Sequence, residues 1–117
     1  MKLSIDEFHR EISEMLGKHL PAGEMELLEM NLLRFKGRIH INLSVFIDVF
    51  YAARTKKVSF SIIRRRKRLY GIDNLVGWHC HPFDNPENHV PIDEPSIEGI
   101  IVQCTMVIKE LNKEDEK

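Results

Sequence analysis

The feature that most constrains the fold is a long run of period-two alternation in the middle of the chain. Side chains of a β-strand point alternately to its two faces, so residues of one parity share a face. One face of the run is apolar and comprises Ile39, Ile41, Leu43, Val45, Ile47 and Val49. The other face is largely polar and comprises His40, Asn42, Ser44 and Asp48, interrupted by Phe46 and Phe50. Because the run is long for one strand, the pattern predicts a strand on the core with a bend or a second hairpin near 46–48.

Further strands are predicted on either side of this run. The stretch 24–35 alternates imperfectly, which is typical of a register change or a bulge, and Lys36-Gly37 predicts a turn after it. Later alternation, interrupted by a charged hairpin tip and an Asp-Asn turn, predicts short strands over 58–62, 68–72 and 76–80. Closely spaced prolines then predict a rigid loop over 82–94.

The chain begins with a helical pattern. Ser4 and Glu7 have the spacing of a capping box, in which a serine side chain and a glutamate side chain satisfy each other's backbone N–H groups. Apolar residues then recur with helical period. The pattern predicts a helix over about 5–16, ended by Gly17 and Pro21.

A second helical pattern follows the loop. Pro95 is suited to the first position of a helix, and the apolar stripe after it comprises Ile97, Ile100, Ile101, Cys104, Ile108 and Leu111. The order of helix, strands and helix predicts an α+β fold, a mainly antiparallel β-meander packed by an N-terminal and a C-terminal helix. One domain is expected over 1–117, with a frayed tail at 112–117.

Charge is strongly segregated along the chain, although the formal net charge is only −1. Residues 1–33 carry three basic and seven acidic groups, and residues 71–117 carry three basic and ten acidic groups. Residues 34–70 carry eleven basic groups and one acidic group, a charge of +10. A basic middle between two acidic ends favours a polyanionic partner.

Composition narrows the class of protein further. Cys80 and Cys104 lack the spacing of a cysteine zinc site, and two lone thiols do not make a disulfide framework. The start of the chain does not resemble a signal peptide, and no apolar run approaches the roughly 18 residues of a membrane span. A cytoplasmic protein with no membrane partner is expected.

The histidines around the last predicted strand are the main candidates for chemistry. His79 and His81 lie two residues apart and share a strand face, whereas Trp78 and Cys80 point the other way. The two imidazoles are suited to act as a general acid and a general base. Alternatively, His79, His81 and the loop residue His89 are three ligands of zinc. A third interpretation is purely structural, with the rings hydrogen-bonded to loop carbonyls.

The second candidate site is the basic hairpin tip, which we define as Arg64, Arg65, Arg66, Lys67 and Arg68. Guanidinium groups bind phosphate through paired hydrogen bonds, so the tip is a candidate nucleic-acid-binding site. A solvated tip that prevents edge-to-edge aggregation is the structural alternative. Five consecutive cations exceed what that role requires, which favours a polyanion.

The segment that follows the basic hairpin tip, about Tyr70–Ser96, carries a family resemblance. Its residues are Tyr70-Gly-Ile-Asp-Asn74, Trp78-His-Cys-His-Pro82, His89 in the loop, and Pro95-Ser96 before the last helix. This order resembles the TumE-type toxins of prokaryotic toxin–antitoxin modules. The matching positions are Asp73, Asn74, His79, His81 and His89, although Leu75-Val-Gly77 and a tryptophan separate the Asp-Asn pair from the histidines.

The resemblance implies toxicity through RNA or translation and a helix-turn-helix antitoxin as partner. Combined with the residues, it predicts a metal-independent ribonuclease in which His79 and His81 transfer protons. Asp73 is then an orienting carboxylate, and the basic hairpin tip holds phosphate. The alternative is a non-catalytic nucleic-acid or protein-binding module with a histidine metal site. A homodimer through the helices is the alternative to an antitoxin covering the site.

Overall fold

A computed structural model of the chain describes residues 1–115 and contains one seven-stranded antiparallel sheet with a helix at each end of the chain. The strands follow one another in the sheet in chain order, which confirms the predicted α+β meander. The helices are α1 (Ile5–His19) and α2 (Ile97–Asp115). The strands are β1 (Glu24–Met30), β2 (Arg34–His40), β3 (Val45–Ala52), β4 (Lys57–Arg64), β5 (Lys67–Asp73), β6 (His79–His81) and β7 (Val90–Pro91).

Both helices pack on the same face of the sheet and enclose the core there. Phe8 of α1 stacks on Tyr51 of β3 with ring centroids 4.4 Å apart, and its edge meets Phe35 of β2 at 5.3 Å. The Tyr51 hydroxyl donates a hydrogen bond to the carbonyl of Leu3 at 2.7 Å. Neither helix therefore covers the opposite face of the sheet.

Helix α1 begins as predicted and ends later than predicted. The capping box is present, since Ser4 Oγ accepts from the N–H of Glu7 at 3.1 Å and Glu7 Oε1 accepts from the N–H of Ser4 at 2.9 Å. The helix continues through Gly17 to His19, so the predicted end was wrong. Lys18 and His19 contact Glu98 at the start of α2, at 2.9 and 2.8 Å, and these contacts favour the extra turn.

Helix α2 differs from prediction at both ends. Ser96 caps it, because its Oγ accepts from the N–H of Gly99 at 2.9 Å, so Pro95 precedes the helix instead of starting it. The predicted apolar stripe is buried throughout. The tail predicted to fray from residue 112 is helical as far as Asp115, and the rest of that tail lies outside the described residues.

The turn between β1 and β2 lies at 31–33, and the predicted turn at Lys36-Gly37 was wrong. Asn31 Oδ1 accepts from the N–H groups of Leu33 and Arg34, at 2.8 and 2.9 Å, and so closes the chain reversal. The predicted register change in this region is present as a bulge near residues 27–29.

A second asparagine divides the long alternating run. Asn42 Oδ1 accepts from the N–H groups of Ser44 and Val45, at 2.9 and 3.0 Å, and the turn lies there instead of near 46–48. As a consequence Leu43, predicted to share the core face, is fully exposed at the turn.

In the described part of the chain, neither α1 nor α2 combines the length and hydrophobicity that a membrane-spanning helix requires.

The predicted strand over 76–80 is shorter than expected, since only His79–His81 pairs as β6 and Val76 lies in solvent.

Candidate functional site

Strands β5 and β6 bring the predicted site residues together on the sheet face that the helices leave uncovered. In the antiparallel register Asp73 lies opposite His79, and Gly71 lies opposite His81. The neighbouring positions, Ile72 and Cys80, also pair and pack against the core. Because side chains alternate along a strand, Asp73 and both histidines project away from the helices.

The three side chains form a buried polar cluster. His79 Nε2 and His81 Nε2 are 3.2 Å apart. Asp73 Oδ1 lies 3.3 Å from the first of these nitrogens, and Asp73 Oδ2 lies 3.3 Å from the second. The residues are 5%, 9% and 2% exposed for Asp73, His79 and His81. Buried polar groups of this kind are stable only when they are paired with one another or with a cation.

Backbone carbonyls orient both rings. His79 Nδ1 lies 3.0 Å from the carbonyl oxygen of Gly77, and His81 Nδ1 lies 3.1 Å from that of Pro86. A carbonyl oxygen only accepts hydrogen bonds, so each Nδ1 carries the proton and donates it. In a neutral imidazole this leaves the lone pair on Nε2, and the Nε2 lone pairs of both rings therefore face the cluster.

Asp73 is fixed by the turn that follows it. Its Oδ1 accepts from the N–H of Leu75 at 3.1 Å. Asn74, the other half of the Asp-Asn pair, has a structural role: its Oδ1 accepts from the N–H of Val58 at 2.8 Å, and its Nδ2 donates to the carbonyl of Lys56 at 2.8 Å. The pair thus aims the carboxylate at the histidines and anchors the turn on β4.

The loop after β6 returns His89 to the cluster. The chain turns twice, as the N–H of Asn85 donates to the carbonyl of Pro82 and the N–H of Asn88 donates to that of Asn85, at 3.1 and 3.0 Å. Strand β7 then pairs with β6. The exposed ring of His89 lies 4.9 Å from the ring of His79 and 4.4 Å from that of His81, between centroids.

The three histidines are a candidate metal site. One ligand nitrogen from each of His79, His81 and His89 lies within 4.8 Å of the others. Two of them are buried and one is exposed. The sequence grouped these three residues, but it placed Asp73 only as an orienting carboxylate and did not include it with them as a ligand.

A β-bulge turns Arg68 towards the cluster. Arg68 pairs with Ile63 and Tyr70 pairs with Ile62, so one extra residue, Leu69, lies on β5 between them. Without it, strict alternation would direct Arg68 to the core face with Tyr70. A Cβ atom built on Gly71 would lie 3.3 Å from Arg68 Cδ, which places the arginine stem on the site face.

Arg68 and the cluster line one open cleft of about 630 Å³, together with Asp73, Trp78, His79, His81 and His89. Within the described residues, the Arg68 guanidinium has no acidic partner. The guanidinium of Arg38 and that of Arg34, in contrast, pair with Asp48 and Glu29, both at 3.2 Å. A free cation beside the cluster is therefore available for an anionic ligand.

The end of the basic hairpin tip is exposed and conformationally unusual. Arg65 and Arg66 are the two central residues of the β4–β5 turn, and both have positive φ, 52° and 68°. Two-residue hairpins of this kind favour Asn-Gly, because a side chain costs about 1–2 kcal/mol in the left-handed region. Arginine thus occupies two positions where the backbone disfavours it.

The thiols are poor nucleophiles. Burial raises the pKa of Cys104 to about 12, and burial also raises the pKa of Cys80. Cys80 packs towards the core, on the sheet face opposite to His79 and His81. Neither thiol takes part in the cluster, in agreement with the alternation of the sequence.

Sequence reasoning missed two residues that shape the site. Gly71 lies opposite His81 and leaves space for its ring, and an isolated glycine inside a strand pattern indicates such a close approach. Trp78, assigned only to the opposite strand face, lines the cleft wall and donates from Nε1 to Glu94 at 3.2 Å.

Comparison of the chain with protein-family models, curated proteins and solved structures gave no match.

Proposed function

We propose that the protein is a toxin-like ribonuclease that holds RNA phosphates with the basic hairpin tip and acts on the phosphodiester at the Asp73–His79–His81 cluster. The observation that carries the proposal is that Arg68 lines the same cleft as the cluster. A phosphate bound by this guanidinium lies next to a cluster that is suited to activate an attacking hydroxyl or water.

The electrostatics of the tip support a polyanionic substrate. Arg65, Arg66 and Lys67 are exposed and, within the described residues, without an ion-pair partner. Their backbone is also strained at two positions. Backbone strain at an exposed cationic turn is typical of a functional segment, and clustered guanidinium groups bind phosphate well.

The cluster acts as one unit at one end of the scissile bond. In phosphoryl transfer the attacking and leaving oxygens lie on opposite sides of phosphorus. His79 Nε2 and His81 Nε2 are in contact at 3.2 Å, so no phosphate fits between them in this arrangement. The cluster therefore serves to activate the attacking hydroxyl or water, while Arg68 stabilises charge on the phosphoryl oxygens.

The biological role follows from the resemblance to TumE-type toxins. Such a protein would act in the cytoplasm and would be held inactive by a helix-turn-helix antitoxin. The antitoxin is expected to cover the basic hairpin tip or the loop after β6, with an acidic segment that complements the positive charge of residues 34–70. The alternative partner is a second copy of the chain, bound through the helices.

The test is induced expression in cells together with an assay of purified protein on single-stranded RNA. The wild type should arrest growth and shorten RNA, and the pair His79→Ala/His81→Ala should do neither. Arg68→Gln should weaken both effects. His40→Gln is the matched control, since His40 also contacts a carboxylate, Glu26, at 2.9 Å but lies on the surface far along the sheet.

The alternative function gives a different result in the same assay. A non-catalytic binding module would retain RNA in a salt-sensitive complex and leave its length unchanged. Intact RNA together with growth arrest that survives the double histidine substitution would refute the ribonuclease proposal.

A further inference from the structure

We infer that Asp73, His79 and His81 are three ligands of one divalent transition-metal ion, zinc being the expected ion, with His89 as an exposed fourth ligand. The inference concerns the same cluster as the proposed ribonuclease but does not depend on RNA cleavage. It extends the three-histidine set predicted from the sequence by adding the buried carboxylate.

The protonation pattern is the first argument. Both Nδ1 atoms donate to backbone carbonyls, of Gly77 and of Pro86, at 3.0 and 3.1 Å. Each Nε2 then presents a lone pair. Two lone pairs and a carboxylate converge at 3.2–3.3 Å, and such a group of buried acceptors requires positive charge between its members, from a metal ion or a shared proton.

The distances are the second argument. Zinc binds nitrogen and oxygen ligands at about 2.0–2.2 Å, and neighbouring ligand atoms in a tetrahedron then lie about 3.3–3.5 Å apart. The two Nε2 atoms lie 3.2 Å apart. Each also lies 3.3 Å from a carboxylate oxygen of Asp73, His79 Nε2 from Oδ1 and His81 Nε2 from Oδ2. These separations are close to those of neighbouring ligand atoms in a zinc site, and the carboxylate faces both nitrogens.

The surroundings of the ligands are the third argument. Histidine ligands of metals almost always donate their second ring N–H to a carbonyl or carboxylate, which fixes the ring. Both buried histidines do so, and Asp73 Oδ1 accepts from the N–H of Leu75 at 3.1 Å. The three ligands are thus oriented by three separate backbone groups, from the Gly77 region, the Pro86 loop and the turn after β5.

His89 determines whether the site is open. It is exposed, and its ligand nitrogen lies within 4.8 Å of those of His79 and His81, a longer range than the tetrahedral edge. Coordination by His89 would close the site, and without it the fourth position would be open to water. A water bound there would be activated for attack, as in catalytic zinc sites.

The competing explanation is a single proton shared within the cluster, which makes one imidazole cationic and requires no metal. The two explanations differ in a direct measurement. Chelator-treated protein is titrated with Co²⁺ and with Zn²⁺ in the absence of RNA, and binding is followed by the visible absorption of Co²⁺ and by calorimetry. The metal site predicts a single saturable equivalent, whereas the shared proton predicts none.

Variants locate the ion. His79→Gln, His81→Gln and Asp73→Asn should each weaken binding by about a hundredfold or more, since substitutions of mere supporting groups already cost 10- to 100-fold. His89→Ala should retain one equivalent with a smaller loss. His40→Gln, which removes an exposed histidine–carboxylate pair, should bind like the wild type. The Asp73→Asn variant keeps the side-chain shape, and a cooperative urea transition checks that it is folded.

The inference is overturned if the wild type takes up no stoichiometric metal, or if the folded Asp73→Asn and His81→Gln variants bind as tightly as the wild type. Equal losses in His40→Gln would also overturn it. The outcome is separate from that of the ribonuclease assay: a protein that binds zinc and leaves RNA intact upholds the metal site and refutes the proposed function.

Discussion

The Nδ1 atom of His81 donates a hydrogen bond to the carbonyl of Pro86 at 3.1 Å, and this contact joins β6 to the loop beside the site. The same ring approaches Asp73 through Nε2 at 3.3 Å. One side chain therefore links the floor of the cleft to its rim. The position of the loop and the geometry of the cluster are consequently coupled through His81.

This coupling predicts that His81→Ala loosens the loop as well as the cluster. Loss of a buried ring with two polar partners should lower the free energy of unfolding by about 2–4 kcal/mol. Hydrogen exchange should accelerate at the N–H groups of Asn85 and Asn88. His89→Ala, at an exposed position of the same loop, should change stability by less than about 0.5 kcal/mol. Equal exchange rates in wild type and His81→Ala would contradict the coupling.

Gly71 should be intolerant of branched side chains, because its Cβ position is closely surrounded. A Cβ atom there would lie 3.4 Å from His81 Cδ2 and 3.4 Å from the carbonyl oxygen of Phe60. Gly71→Ala should fold with little loss, whereas Gly71→Val should cost about 1–3 kcal/mol and displace the His81 ring. Urea unfolding measures the first effect and Co²⁺ affinity measures the second.

The control for this series is Gly17, whose Cβ position in α1 has no heavy atom within 4 Å. Gly17→Val should leave metal affinity unchanged and should not lower stability, because glycine is the weaker helix former. A Gly71→Val variant with wild-type metal affinity would show that the His81 ring is not confined by this contact.

The strain in the Arg65-Arg66 turn predicts that substitutions which stabilise the fold will weaken RNA binding. Arg65→Asn/Arg66→Gly should raise the free energy of unfolding by about 1–3 kcal/mol, since both residues have positive φ. The same substitutions should weaken RNA binding. Lys56 also has positive φ, 61°, so Lys56→Gly is a control that relieves strain and removes one charge outside the tip. An equal loss of RNA affinity in Lys56→Gly would assign the effect to net charge alone.

RNA binding through the basic hairpin tip should depend steeply on salt. Each phosphate contact with a single strand contributes about −0.7 to the slope of log K against log salt concentration. Replacing Arg65, Arg66 and Lys67 with glutamine should reduce the magnitude of that slope by about 2. Lys109→Gln, an exposed position on α2, should not alter it. Affinity that is independent of salt would exclude the tip as the phosphate-binding surface.

Periodicity alone predicted the strand faces, both helices and the grouping of His79 with His81. The positions of the turns could not be predicted in this way. Asn31 and Asn42 fit the alternating pattern, but their side chains accept hydrogen bonds from backbone N–H groups and so form turns. The orientation of Arg68 was also hidden, because a single bulge residue reverses its face. Three-dimensional convergence of Asp73 with the histidines required the pairing register of β5 and β6.

The capping box at the start of α1 should contribute measurably to stability. Ser4→Ala removes the acceptor of the Glu7 N–H and should cost about 1 kcal/mol. Ser13→Ala is the matched control within the same helix, where the hydroxyl donates only to the His9 carbonyl at 2.8 Å, and alanine there should be neutral or slightly stabilising. Thermal unfolding of both variants gives the comparison, and equal melting temperatures would contradict the assignment.

Stability should fall in alkaline solution because the folded protein keeps protons that the unfolded chain releases. Burial raises the pKa of Cys104 from 9.0 to about 12 and raises that of Tyr70 above its ordinary value of 10.0. Above pH 9.0 the unfolded chain ionises its thiol while folded Cys104 remains neutral, so the unfolded state is favoured as pH rises towards about 12. The free energy of unfolding should decline by roughly 1.4 kcal/mol per pH unit for this residue.

Cys104→Ala should be less stable than the wild type at pH 7 because packing is lost. Its free energy of unfolding should decline less steeply above pH 9.0, which urea unfolding between pH 7 and 11 measures. Parallel curves for the two proteins would show that the thiol does not control the alkaline transition.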